Sequence, residues 1–249
     1  SLIGDKSDIC APKKRKMILS VHQPQYIPWL GYFDKIAKSD CFVFLDQVQF
    51  KEREFQNRNK IRTKDGWIWL TVPVVSKGKG RQKICDVLIS NDFSWAKQHL
   101  RSLQVWYSGS EFFNEYFPFF EETFSKRWEK LMELNVYIID YFLKQLAITT
   151  PIYFESKLGI SGTSTGRIIE ICKKMKADVY LSGVGGKDYL EEEKFKEAGI
   201  ELVYQNFIHP VYCQRFMKNE KDFIPYMSIL DLLFNNGFRS RDIISGENA

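Results

Sequence analysis

The stretch MILSVHQPQYIPWLGYFDKIAKSDCFVFLD runs from Met17 to Asp46 and decides the fold. It opens with a short apolar run, Met17 to Val21, that stops at His22 as a buried strand does. Pro24 and Pro28 bar a regular helix or strand interior between residues 23 and 28. From Trp29 to Ala37 the spacing is helical, with Leu30, Phe33, Ile36 and Ala37 on one side. Cys41 to Leu45 is a second continuous apolar run, and it ends at Asp46. Strand, loop, helix and strand in this order predict a βαβ unit, hence parallel strands joined by a right-handed crossover.

The rhythm then breaks. Gln47 to Asp65 is polar, basic and rich in amides without a clean period, which predicts a long loop. Trp67 to Val75 and Cys85 to Ile89 predict strands, and Ser94 to Tyr107 a helix. Glu111 to Leu146 is helical and crowded with aromatic residues, as helix-on-helix packing requires, so a helical block over about 94–147 covers or interrupts the sheet. Ile152 to Glu155, Val179 to Leu181 and Ile200 to Tyr204 predict further strands, separated by helices from Arg167 to Met175 and up to about Ala198. Ser228 to Phe234 predicts a last helix, ended by Asn235-Asn236-Gly237. The fold class is therefore α/β, with a Rossmann-like, mostly parallel sheet and a helical insertion. Residues 17–249 are expected to form one domain, with 1–16 as a disordered leader.

Composition narrows the function. Of the 249 residues 44% are hydrophobic, enough for a full core, and no stretch is apolar for the roughly 18 residues a membrane span needs. The five cysteines are dispersed and lack CxxC spacing, which predicts reduced thiols in a cytoplasm rather than a zinc site or a disulfide framework. The three histidines are scattered, so no metal is expected. The formal charge of +5 falls to +1 once the four cations of Lys13 to Lys16 are set aside, and nucleic-acid binding loses its main compositional support. A small molecule is the expected partner, and a membrane is not.

Ligands of open α/β sheets bind at the carboxyl ends of strands, where helix N-termini offer N–H groups to anions. His22, with Gln23, Gln25 and Tyr26, stands at such an end and is read as acid, base or phosphate donor, or else as the cap of a turn. Asp46 ends the second strand and is a candidate partner of His22, or an ordinary loop-initiating aspartate. Gln49, Arg53, Asn57, Arg58, Asn59 and Lys60 combine amides with cations as a sugar or phosphate site does. Two small-residue loops are phosphate candidates: Ser161-Gly162-Thr163-Ser164-Thr165, which lacks the GK[ST] ending of a P-loop, and Gly183 with Gly185, Gly186, Lys187 and Asp188. Both also read as plain helix-capping loops. His209, Tyr212 and Gln214 follow the last strand and echo the first His-Pro turn.

The run from His22 to Pro73, with SGTSTGRIIEICK, DVYLSGVGGKDYL and SILDLLFNNG, resembles the WbqC-like protein family over nearly everything after the leader. The resemblance implies a bacterial setting in surface-polysaccharide and O-antigen biosynthesis. A more distant likeness connects the strand, His-containing turn and helix to the nucleotidyltransferase and pantothenate-synthetase folds. That group uses paired histidines, and here Gln23 and Gln25 stand where a second would fall. The expectation is a transferase passing an acyl or aminoacyl group to a nucleotide-linked amino sugar. An ATP-using nucleotidyltransferase or ligase is the alternative, and a non-catalytic carbohydrate- or phosphate-binding protein is a third. ATP and a nucleotide sugar are thus the cofactor and substrate candidates.

Overall fold

The computed structural model describes residues 15–76, 78–92 and 94–246. The expected leader therefore lies outside the described residues, except for Arg15 and Lys16, whose side chains pair with Asp40 at 2.6 Å and Glu201 at 2.5 Å.

The chain begins as the sequence predicts, with β1 (Ile18–His22), α1 (Leu30–Ala37) and β2 (Cys41–Phe44). A hairpin of β3 (Arg58–Thr63) and β4 (Gly66–Thr71) follows. The helical block consists of α2 (Trp95–Tyr107), α3 (Phe113–Ser125) and α4 (Leu131–Gln145). The α/β alternation then resumes with β5 (Ile152–Phe154), α5 (Ser164–Lys174), β6 (Val179–Ser182), α6 (Glu192–Glu197) and β7 (Glu201–Tyr204). Two helices, α7 (Ile229–Asn236) and α8 (Ser240–Ser245), close the described chain.

Five strands form one parallel sheet in the order β5-β2-β1-β6-β7. The chain walks outward from β1 through β2 to β5, then returns to the other side of β1 for β6 and β7. This is the doubly wound Rossmann-like order, and it puts the topological switch point between β1 and β6.

Both sheet faces are covered, which explains the unbroken apolar runs. Alternate residues take opposite faces. Leu19, Val21, Cys41, Val43 and Leu45 pack with Ile168, Cys172 and Phe195 of α5 and α6. Phe42 and Phe44 pack on the other side with Phe33, Phe120, Phe142 and Phe234. Each fully buried phenylalanine contributes about 2–3 kcal/mol relative to exposure.

Three expectations about the middle of the chain are corrected. Residues 47–65 are not all loop, because β3 pairs antiparallel with β4 from Arg58↔Thr71 to Thr63↔Gly66. Its period was masked by Asn59, a fully buried inward residue whose Nδ2 donates to the Tyr26 and Ile27 carbonyls. The strand expected over 67–75 ends at Thr71 and belongs to this hairpin, not to the parallel sheet. Cys85 to Ile89 holds a 3-10 turn (Ile84–Asp86) and isolated bridges, Val74↔Ile89 and Leu88↔Lys130, in place of a strand.

Candidate functional site

β1 makes four register pairs with β2, from Leu19↔Cys41 to His22↔Phe44, but only two with β6, Ile18↔Val179 and Leu19↔Tyr180. The two central strands therefore part towards their carboxyl ends. Carbonyls along β1 alternate in direction: Met17 accepts from Val179 on the β6 side, and His22 from Leu45 on the β2 side. The Val21 carbonyl falls on the β6 side, where the ladder has already ended. Lys35 fills the vacancy, its Nζ donating to Val21 at 3.0 Å. This lysine comes from α1, is 3% exposed, and is lowered by burial to a pKa of about 7. An ammonium has three N–H groups. Only one has a protein acceptor here, and no carboxylate pairs with Lys35 among the described residues.

His22 stands beside it. Its Nδ1 lies 3.1 Å from the Gln23 carbonyl, which can only accept, so Nδ1 carries the hydrogen and Nε2 keeps a lone pair. The Tyr32 hydroxyl donates to the same carbonyl at 3.0 Å, and its ring meets His22 edge-on at 5.0 Å. Burial, and then the neighbouring Lys35 charge, lower the imidazole pKa to about 3 and keep it neutral. The loop carrying His22 is braced from outside: Asn135 Nδ2 donates to the Pro24 carbonyl, and the Tyr26 amide to Phe55.

Two cavities meet on this pair. The first, about 480 Å³, is walled by Lys51, Ser164, Arg167 and the turn after β6. The second, about 350 Å³, is aromatic, with Trp29, Tyr32, Phe207 and Tyr226. His22, Lys35, Gly183 and Gly185 border both. The walls include three side-chain cations and no aspartate or glutamate. A third cavity of about 340 Å³, bounded by Lys38, Thr149, Thr150 and Arg241, lies at the other end of α1 beside the start of β5. It is remote from the strand carboxyl ends, where such sheets bind ligands.

Both glycine-containing loops reach the first cavity. The turn Val184–Asp188 is a 3-10 helix, and a Cβ placed on Gly183 would stand 3.8 Å from Lys35 Nζ. Ser164 opens α5 at φ 49, and Thr165 Oγ1 accepts from the Glu191 amide at 3.2 Å, tying one loop to the other. Arg167 pairs with the buried Glu155. The Ser161 and Gly162 amides, candidates for holding phosphate, already donate to the Glu170 carboxylate at 3.2 and 2.8 Å. Thr163 is the residue preceding α5. Lys187 lies over the Tyr204 ring at 5.3 Å and Asp188 is exposed, so neither borders a cavity.

Comparison with known proteins assigns the sequence to a family. The family model described as WbqC-like protein family matches residues 23–243. The chain belongs to the WbqC-like protein family. It is also 34% identical over 227 residues to "Uncharacterized protein Rv1507c" of Mycobacterium tuberculosis (strain ATCC 25618 / H37Rv), covering 91% of this chain and 96% of that protein. No solved structure matches. The WbqC-like match begins at Gln23 and so takes in the His22-adjacent loop, Lys35, Arg167 and the glycine turn together.

The remaining candidates of this WbqC-like chain are dispersed. Asp46 is 2% exposed and turned towards β5, its Oδ1 accepting from the Ser156 amide at 2.9 Å, while the His22 ring bonds to Gln23. Tyr26 is buried and shares a 2.8 Å hydrogen bond with His99. Gln25 is buried with Oε1 unpaired. Asn57 donates to Val72, and Asn59 holds the Tyr26–Ile27 carbonyls. Arg58 and Lys60 lie over Trp69 and Trp67 at 4.1 and 4.5 Å on the hairpin. Gln49 and Arg53 are exposed. His209 stacks near Trp29 and accepts from the Tyr226 amide at Nε2. Tyr212 and Gln214 both donate to the buried Asp231. Sequence reasoning missed Lys35 and the aromatic cavity. Seven of the eight α1 residues are buried, so the helix has almost no solvated face, and a lysine inside it was the available signal.

Proposed function

We propose that this WbqC-like chain is a group-transfer enzyme of bacterial surface-polysaccharide assembly. In this reading it holds a nucleotide-linked amino sugar at the switch point, and the sugar amine takes an acyl or aminoacyl group from an activated acyl donor. The N–C bond forms, the bond to the donor's leaving group breaks, and the amine proton passes to solvent. The observation that carries the reading is the pair of cavities meeting at His22 and Lys35, with three basic side chains, Lys35, Lys51 and Arg167, and no carboxylate in their walls. Such a one-signed crevice at the carboxyl edge of a parallel sheet favours a phosphorylated ligand. The adjoining aromatic cavity favours a ring, and a nucleotide sugar offers both. The neutral His22 keeps Nε2 as an acceptor for an amine N–H, which leaves the nitrogen lone pair free to face the acyl carbon. Asp46 supports the scaffold by tying the segment just past β2 to the Ser156 amide just past β5.

The test is calorimetry with UDP- and dTDP-linked amino sugars against the free nucleotides, with His22→Ala in parallel. Tighter binding of the sugar nucleotide than of the free nucleotide, with that difference reduced in the variant, supports the reading. Equal affinity for sugar nucleotide and free nucleotide sinks it.

A further inference from the structure

Most buried lysines are matched by a carboxylate or are driven to the surface, because an uncompensated charge inside a protein is costly. Lys35 is neither. It is 3% exposed, has the Val21 carbonyl as its sole hydrogen-bond acceptor among the described residues, and borders both cavities. Its helical neighbour Asp34 is turned away, with one oxygen on Lys38 at 2.8 Å and the other on Gln205 Nε2 at 2.7 Å. The groups facing the amine from other elements are neutral or cationic. His22 comes from β1, and Lys51, Arg167, Tyr180 and Tyr189 come from the rest of the first wall. Tyr226 comes from the second wall, where Tyr32 of Lys35's own helix also stands. Two N–H positions of the ammonium are thus unused at the point where the cavities join, and the charged side chains lining the walls beside them are Lys51 and Arg167, the latter paired with Glu155.

We propose that the Lys35 amine is the phosphate anchor of this crevice, and that the anion and a proton bind there together. The inference rests on the proposed function, and it assigns the ligand's oxyanion to one named atom. Without ligand, burial and the lack of a counter-charge favour the neutral amine. A phosphate oxyanion supplies the missing charge. The amine then takes one proton from solvent and donates to the anion through the two free positions while keeping Val21. His22 stays neutral beside the new ion pair, so its lone pair remains available to the rest of the substrate.

Proton-linked calorimetry decides this. Wild type is titrated with sulfate, whose charge is constant in this range, and with UDP. Each titration is run at about pH 8 and about pH 6, in buffers of contrasting ionisation enthalpy. At the higher pH the inference expects uptake of close to one proton per ligand, falling several-fold at the lower pH. Lys35→Arg should bind with no uptake, and Lys35→Met should bind at least about tenfold more weakly while melting as a folded protein. If at about pH 8 wild type binds sulfate or UDP without taking up a proton, or Lys35→Met binds as wild type does, the anchor is overturned and the proposed function stands. If wild type binds neither probe, both fall.

Discussion

Gly186 lies against Ser182: a Cβ built on the glycine would stand 2.0 Å from the serine hydroxyl oxygen and 2.9 Å from Leu190 Cδ1. Ser182 is 1% exposed and ends β6, so its hydroxyl would have to turn towards the cavity that it lines. The turn that faces His22 is thus held down by the absence of one side chain. Gly186→Ala should lift the turn and destabilise the fold by about 1–3 kcal/mol, the usual cost of overpacking. Removing the hydroxyl with Ser182→Ala in the same chain should recover part of that loss. Urea unfolding of the two single variants and the double variant measures the coupling.

Lys35 sets a pH signature in stability. Its pKa falls from 10.5 to about 7 on folding, so between these values the unfolded chain binds a proton that the folded chain does not. Stability from this group is complete above pH 10.5 and is lost as pH falls towards 7. Relative to Lys35→Met, wild type should gain up to about 1.4 kcal/mol per pH unit across that window. Paired denaturation curves check this, because the buried tyrosines and cysteines, which act oppositely there, are common to both proteins.

His99 predicts sensitivity at the acid end. Its Nε2 lies 3.1 Å from the Thr71 carbonyl and so carries the hydrogen, while Nδ1 accepts from Tyr26. Burial lowers its pKa from 6.5 to about 4. The unfolded state is therefore favoured as pH falls from 6.5 towards 4, and stability should drop by up to about 1.4 kcal/mol per pH unit from this residue. His99→Gln, which retains a donor and an acceptor, should flatten that slope in acid titrations followed by circular dichroism. An unchanged slope would contradict the assignment.

Arg167 serves the crevice and the core at once. Its partner Glu155 is 1% exposed, and burial raises the carboxyl pKa although Arg167 acts the other way. Arg167→Met should cost about 3–5 kcal/mol by leaving that carboxylate unmatched. Adding Glu155→Gln should restore most of the stability but not the binding of UDP. Chemical denaturation and calorimetry on the same samples separate the two effects.

The parallel sheet was legible because its three central strands are nearly continuous apolar runs flanked by helices, running up to His22, Asp46 and Ser182. The hairpin was not, because Asn59 is inward-facing, and an amide that satisfies two carbonyls looks polar to any hydrophobic pattern. The site was half legible. Position alone marked His22 and the glycine turn, since strand ends can be read from a sequence. Lys35 could not be marked in this way: its role depends on β6 parting from β1, a property of pairing between segments far apart in the chain. The same holds for Tyr212 and Gln214, whose polar groups converge on Asp231 inside the core rather than on a ligand.

The crevice is divided along the chain. β1 and α1 supply His22 and Lys35, while α5 and the turn after β6 supply Arg167 and the glycines, with the helical block and β5 between them. A cut in the exposed turn near Thr149 would leave each fragment with one wall and neither with a cleft. Recovered ligand binding on mixing would then report the rejoining of the halves, making this sheet a natural framework for a two-piece complementation sensor.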